Sequence, residues 1–219
     1  MADEKKRPSA LSDHRVFLKQ FLEQFHTTGA IMPSGRALAG ALCRFVGQSP
    51  APQRILEVGP GTGAVTTTLV DRMRDQDDLC LVEINETFVR YLRTAFEERA
   101  PLKAKAHRVE VVHGRLEDLP GDACYDLIIS GLPLNNFTAP DVEQILGGFA
   151  RLLKPGGTLS FFEYIAVRTA KTWVSLPKER ARLRAIDGVL RRTLDGREFR
   201  RDWVWPNVPP AWVHHVRLP

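Results

Sequence analysis

The stretch Arg54-Ile55-Leu56-Glu57-Val58-Gly59-Pro60-Gly61-Thr62-Gly63-Ala64 decides how this chain folds. Its short apolar run Arg54-Ile55-Leu56-Glu57-Val58 has the pattern of a strand buried in a parallel sheet. The run stops at Gly59, and a helical pattern covers Thr62 to Met73. A glycine cluster between strand and helix lets the backbone turn tightly and approach a ligand with no Cβ in between. The pattern alone is ambiguous, because Gly59-x-Gly61-x-x-Ala64 also satisfies the permissive dinucleotide fingerprint. Glu83, twenty residues beyond Gly63, stands where a ribose-binding acid is expected.

Outward from this loop, strand and helix signals alternate. Leu79–Ile84 reads as a second strand, and Asn85 as the cap of a helix carrying Phe88, Tyr91, Leu92 and Phe96 on one side. Val109–Val112 and Tyr125–Ile129 read as the third and fourth strands. Asp141 opens a helix to Leu153, and Thr158–Tyr164 is a fifth strand. Repeated units of this kind imply a parallel sheet covered on both faces. Pro177–Leu194 then reads as a basic helix, followed by strands Phe199–Trp205 and Trp212–Leu218. A terminal hairpin makes the sheet mixed. Upstream, a short helix is expected over Ser34–Phe45. Another, capped by Ser12 or Asp13, carries Phe17, Leu18, Phe21, Leu22 and Phe25 on one face.

A chain of 219 residues, 43% hydrophobic and 26% charged, fits one globular domain and not a disordered one. No apolar run reaches the roughly 20 residues that span a bilayer. The charged N-terminus precedes no signal-peptide core. Cys43, Cys80 and Cys124 are odd in number and widely spaced. They point to reduced thiols in a cytoplasm, and no metal-ligand set is visible. The net charge is +5. Between Arg168 and Arg201 stand eleven Lys/Arg and four acids, which is +7 and leaves about −2 for the rest. That segment suggests a phosphate-bearing partner, either nucleic acid or an anionic membrane.

Charge separates the two cofactor readings of the glycine loop. A pyrophosphate would meet Glu57 as a like charge. S-adenosylmethionine has no phosphate; its ammonium and sulfonium are both helped by a nearby carboxylate, and Glu83 can take both ribose hydroxyls. The methyl donor is the better fit.

Three segments together resemble the class I methyltransferases that use S-adenosylmethionine: Ile55–Gly63, Val82-Glu83, and Leu153-Lys154-Pro155-Gly156-Gly157-Thr158-Leu159. The resemblance implies a Rossmann-like α/β fold, a seven-stranded, mostly parallel sheet with an antiparallel terminal hairpin. It implies N-terminal leader and lid helices over 1–50 and a methyltransferase domain over 51–219. The cofactor-binding residues it implies are Glu57, Gly59, Pro60, Gly61, Thr62, Gly63, Glu83, Ile84, Arg115, Leu116 and Ser130. Relatives often carry Gly-Asp after strand three, whereas this chain has Gly114-Arg115, so the acid expected at adenine is a base here; Glu117 or Asp118 can compensate.

Within the class, Gly29–Ser34, Ser130–Phe137 and Asn207–Ala211 resemble small bacterial enzymes that N-methylate phosphatidylethanolamine or ornithine lipid. That likeness implies a substrate site at Met32, Pro33, Leu132 and Pro133, with Tyr164 nearest the amine. It also implies successive transfer to the trimethylated product by a monomer on the inner face of an anionic membrane. The segments around Gly59 and Leu132-Pro133 are similar to rRNA adenine dimethylases as well. Those grip a planar base with an Asn-Leu-Pro-aromatic loop. Here the positions are Ser130, Leu132, Pro133 and Leu134, so the amide and the aromatic are both missing. The sequence also ends at the hairpin, with no further module for RNA. RNA adenine N6-methylation is the second reading, and a non-catalytic lipid- or protein-binding domain the third.

Each candidate has a plainer role beside its functional one. The N-terminal amphipathic helix either packs on the sheet or lids the site and touches lipid. The basic segment is either a solvated helix face or a membrane contact. Trp203 and Trp205 share a strand face, which favours core packing over interfacial anchoring. Tyr164 is either a packed ring or a hydrogen-bond or cation–π partner of the amine. Glu163, His26, His214 and His215 are weaker base candidates, and the last two point to opposite faces of their strand.

Overall fold

The computed structural model describes residues 33–164, 177–205 and 210–218. The helix expected from Ser12, its lid role, Met32, residues 168–176 of the basic segment and the Asn207–Pro209 part of the hairpin connection lie outside them. The strands are β1 (Arg54–Val58), β2 (Asp78–Glu83), β3 (Val109–His113), β4 (Tyr125–Ser130), β5 (Leu153–Tyr164), β6 (Glu198–Val204) and β7 (Ala211–Val216). They form one sheet in the order β3-β2-β1-β4-β5-β7-β6. Pairing is parallel from β3 to β5, and β7 runs antiparallel to both β5 and β6. The seven-stranded sheet with its antiparallel hairpin is the expected architecture.

The helices are α1 (Pro33–Leu42), α2 (Ala64–Arg72), α3 (Glu86–Glu98), α4 (Leu102–Lys105), α5 (Ala139–Leu152) and α6 (Pro177–Leu194). Alternate residues of β1, β2, β4 and β5 feed two cores. Ile55, Leu81 and Ile129 pack with Leu42, Leu69 and Leu92 on one face. Leu56, Ile128 and Phe161 pack with Phe149, Leu152 and Ile186 on the other. Burial on both faces explains why these strands are continuous apolar runs. Among the described residues no helix is long and apolar enough to cross a membrane.

Three local expectations are corrected. Asn85 does cap α3, accepting from the Thr87 N–H at 2.9 Å. Its buried face, however, is Val89, Leu92, Ala95 and Phe96, while Tyr91 is exposed and receives the Arg99 guanidinium 4.8 Å from its ring centre. α5 opens at Ala139 and not at Asp141: Thr138 is its cap, and Asp141 is the third helical residue and completes a capping box with it. Trp203 and Trp205 do share a face, but it faces solvent: they are 57% and 69% exposed. β6 is the edge strand, with no neighbour on its far side among the described residues.

His214 and His215 point to opposite faces, as expected. His215 is wholly buried, 2.8 Å from Ser160 Oγ through Nδ1 and 3.2 Å from Asp202 Oδ2 through Nε2. The order serine–histidine–aspartate resembles a nucleophile set. Ser160 is itself fully buried, however, so the chain of bonds pins β5, β7 and β6 together and presents no hydroxyl to a substrate.

Candidate active site

The loop after β1 sits at the carboxyl edge of the sheet, where open α/β sheets bind ligands. Gly59, Gly61 and Gly63 have φ of 70°, 58° and 82°. L side chains avoid that region, so the path of the loop requires glycine. The Gly59 N–H donates to Val82 O at 3.0 Å, and the Gly131 N–H to Val58 O at 2.8 Å. The ends of β2, β1 and β4 are thereby locked together. A Cβ on Gly59 would lie 2.6 Å from Leu132 Cδ2, so Leu132 is seated directly over the loop. Pro60 is buried and its carbonyl accepts from the Gly63 N–H at 2.9 Å, while Thr62 is half-buried at the turn.

Glu83 ends β2 at 3% exposure. Its two oxygens accept from the Gly61 N–H at 3.1 Å and the Asn85 N–H at 2.8 Å. Burial pushes its carboxyl above the usual range, against those backbone donors. The carboxylate that faces the loop thus also shapes it. Ile84 follows, half-buried, its carbonyl 3.2 Å from His113 Nε2.

Glu57 is fully buried. Its Oε2 accepts from the Thr66 hydroxyl at 2.8 Å, and its Oε1 has no partner among the described residues. Burial first, then the nearby Glu83, pushes its carboxyl up to about 8, with the Thr66 bond pulling the other way. A buried acceptor with no donor is costly. The site is therefore short of positive charge and of a donor. A phosphate-free ligand carrying an ammonium and a hydroxylated ribose fits these carboxylate acceptors; a pyrophosphate does not. Thr66 escaped the sequence reading. The available signal was its place in the first turn of α2, facing back toward the strand.

After β3, Arg115 pairs with Glu117 at 3.2 Å, so Glu117 neutralises the base found in place of an acid. Leu116 is buried; a Cβ on Gly148 of α5 would lie 3.0 Å from its Cδ2. Its side chain is committed to the core, leaving its backbone to the site. Buried Ser130 ends β4 and accepts from the Leu132 N–H through Oγ at 3.3 Å. Pro133 and Leu134 are buried, and Arg182 of α6 donates to the Asn135 carbonyl at 2.9 Å and to that of Phe137.

Tyr164 ends β5 opposite Ala211, buried, its ring 4.9 Å from that of Phe162 in a T-shaped contact. Two strand spacings separate it from β1, roughly 10 Å across the sheet. The structure thus brings Glu57, the glycines, Glu83, Ser130 and Leu132 into one cradle, with Tyr164 on the same edge. Pro33 is the first residue of α1. Glu163 lies 3.6 Å from His214 Nε2, whose Nδ1 is 2.7 Å from Glu198.

A methyltransferase-domain family model matches residues 55–157. An ornithine lipid N-methyltransferase from Singulisphaera acidiphila is 26% identical over 156 residues, 68% of this chain and 77% of its own. The ubiquinone/menaquinone biosynthesis C-methyltransferase of Yersinia enterocolitica is 32% identical over 113 residues, 51% of this chain and 43% of its own. Among solved structures, the Burkholderia thailandensis 1,6-didemethyltoxoflavin N1-methyltransferase with S-adenosylhomocysteine aligns at TM-score 0.66 and 14% identity, over 99% of this chain and 93% of that one. The Streptomyces achromogenes O-methyltransferase of tomaymycin synthesis, with S-adenosylmethionine, aligns at 0.60 and 19%, over 98% and 92%. The names of these proteins differ in the atom methylated, and the two solved structures share the fold of this chain. The domain matched over residues 55–157 is a methyltransferase domain, the sheet around it is that of the class I S-adenosylmethionine-dependent methyltransferases, and S-adenosylmethionine is the cofactor both support.

Proposed function

We propose that this methyltransferase acts on the head-group amine of a membrane lipid, phosphatidylethanolamine or an ornithine lipid, successively to the trimethylated product. The observation that carries the reading is the loop after β4. Ser130 turns its hydroxyl back onto the Leu132 N–H, and Leu134 is 2% exposed. No amide and no aromatic ring at these positions could grip and polarise a planar base. A saturated amine needs neither, because once deprotonated it is a good nucleophile. The ornithine-lipid enzyme among the relatives supports the same reading.

When bound, the cofactor supplies an electrophilic methyl on a sulfonium. Gly59, Pro60, Gly61, Thr62 and Gly63 wrap it. Glu57 Oε1 accepts from its ammonium, gaining the donor that no described residue provides. Glu83 takes the ribose hydroxyls while keeping its two backbone bonds, since each carboxylate oxygen accepts twice. Ile84, the Arg115 side chain and the Leu116 backbone border the adenine, and Ser130 closes the floor. Leu132 and Pro133, with Met32 and Pro33, border the lipid amine. Tyr164 orients that amine through its hydroxyl or its ring face, and the ammonium proton leaves to water.

The chain works as a monomer held at the cytoplasmic face of an anionic membrane by its basic segment, with nucleic acid no partner. Expression in a host that makes both lipids tests the substrate. Mass spectrometry of the lipid extract should show head groups heavier by one, two and three methylene units. Unchanged lipids beside active, cofactor-binding protein would refute the reading.

A further inference from the structure

The terminal hairpin carries an aromatic cluster that the cofactor site does not use. Trp203 and Trp212 face each other across β6 and β7 with ring centres 4.9 Å apart, and Trp205 meets Trp203 edge-on at 5.7 Å. Trp203 and Trp205 are more than half exposed, an unusual state for two adjacent indoles. The strand register fixes where this cluster lies. Val58 pairs with Ser130 and Ser130 with Phe161, while Glu163, two residues on, pairs with Trp212, which faces Trp203. The indoles therefore stand at the carboxyl edge of the sheet, level with the cofactor loop. Four strand spacings separate β1 from β6, about 19 Å.

Cations flank the cluster. The Arg201 guanidinium lies 5.7 Å from the Trp212 ring centre. Arg184 of α6 is exposed and has no carboxylate partner among the described residues. The α6 end that carries Arg184 lies at the same edge, because Arg182 bonds the carbonyls of the loop after β4. Farther along, Arg191 pairs with Asp187, Arg192 with Glu143 and Arg201 with Glu198, so Arg184 is the exposed cation of α6 nearest this edge that is left without such a pair among the described residues. The β6 edge beside the indoles is charged through Arg200, Arg201 and Asp202, which discourages strand pairing with another copy.

We propose that Trp203, Trp205 and Trp212 form a docking face that enters the head-group region of an anionic bilayer, with Arg184 of α6 over the lipid phosphates. Indole rings favour this region because they carry an apolar body and one polar N–H. Docked in this way, the carboxyl edge of the sheet faces the membrane and the amine site opens toward its substrate. The docking rests on the lipid-amine reading for its purpose, but not for its test.

Vesicles of phosphatidylglycerol and phosphatidylcholine contain no primary amine, so binding to them is independent of turnover. The full chain should sediment with these vesicles and show a blue-shifted, bromolipid-quenched tryptophan emission. Trp203→Ala with Trp205→Ala should weaken the partitioning about tenfold or more while calorimetric cofactor affinity stays unchanged. Arg184→Glu, a second variant on an exposed helix face, should weaken binding to phosphatidylglycerol vesicles and leave binding to pure phosphatidylcholine unaltered. Undiminished binding by the double tryptophan variant would overturn the proposal, as would a wild-type dimer that this variant converts to monomer. Full vesicle binding with no methylation of any lipid would refute the substrate reading and leave the docking face intact.

Discussion

Gly131 approaches Gly59 so closely that a Cβ added to it would lie 2.7 Å from the Gly59 carbonyl oxygen. The obstacle is backbone of the cofactor loop, which cannot rotate aside as a side chain can. Gly131→Ala should therefore cost about 1–3 kcal/mol and reduce cofactor affinity, read by thermal unfolding and calorimetry. Gly147 supplies the contrast: it is exposed on α5, and a Cβ added there would meet nothing within 4 Å. Gly147→Ala should stabilise by about 0.5–1 kcal/mol and leave cofactor binding alone.

Glu57 predicts an unusual pH dependence. Its carboxyl is raised to about 8 in the folded, cofactor-free protein, above the ordinary glutamate value, so the native state holds a proton that the unfolded chain releases. This contribution to stability is complete below about pH 4 and is lost as pH rises through 8. Glu57→Gln should raise Tm relative to wild type at pH 8 and raise it much less at pH 5. The same variant should bind the cofactor far more weakly, because the amide lacks the charge that meets an ammonium. Equal Tm shifts at both pH values would show that Glu57 is not protonated in the fold.

Asp202 anchors the far edge of the sheet. Burial alone would raise its carboxyl, but donors from Arg200, Arg44 and His215 outweigh it and hold the group below the usual range. The stabilisation is present above about pH 4 and is lost as pH falls through the depressed value. Asp202→Asn should cost about 1–3 kcal/mol at neutral pH, with the difference from wild type narrowing in acid. Cofactor affinity should not change, since β6 lies four strands from β1.

Tyr164 separates substrate handling from cofactor binding. Tyr164→Phe keeps the ring on Phe162 and removes the hydroxyl. Turnover on the lipid amine should fall about tenfold or more with unchanged cofactor affinity. Full turnover would remove the hydroxyl from the mechanism and leave Tyr164 a packed ring.

The order of elements is legible in the sequence because a buried parallel strand leaves a short, mostly apolar run, and those of β1, β2 and β4 stop at Gly59, Glu83 and Ser130. Glu57 and Glu83 are legible for the same reason: an ionisable residue at the end of an apolar run has few other places to be. What escapes is set by tertiary contact. Thr66 matters through one bond to Glu57, and neither residue marks the other along the chain. Arg115 reads as an unwelcome base until the fold places Glu117 against it. The tryptophans share a strand face as expected, but alternation cannot say which face is covered; that depends on β6 being the sheet's edge. Asp141 reads as the opening of its helix, but the Thr138 cap three residues earlier sets the start at Ala139.

Whether the methyl goes to a lipid amine is decided by a competition among acceptors. Labelled S-adenosylmethionine and the purified chain are offered to phosphatidylethanolamine, ornithine lipid and unmodified rRNA in parallel, and the products are separated and counted. Label should enter one or both lipids, distributed over singly, doubly and triply methylated head groups, and none should enter RNA. Label in RNA alone would overturn the lipid-amine assignment.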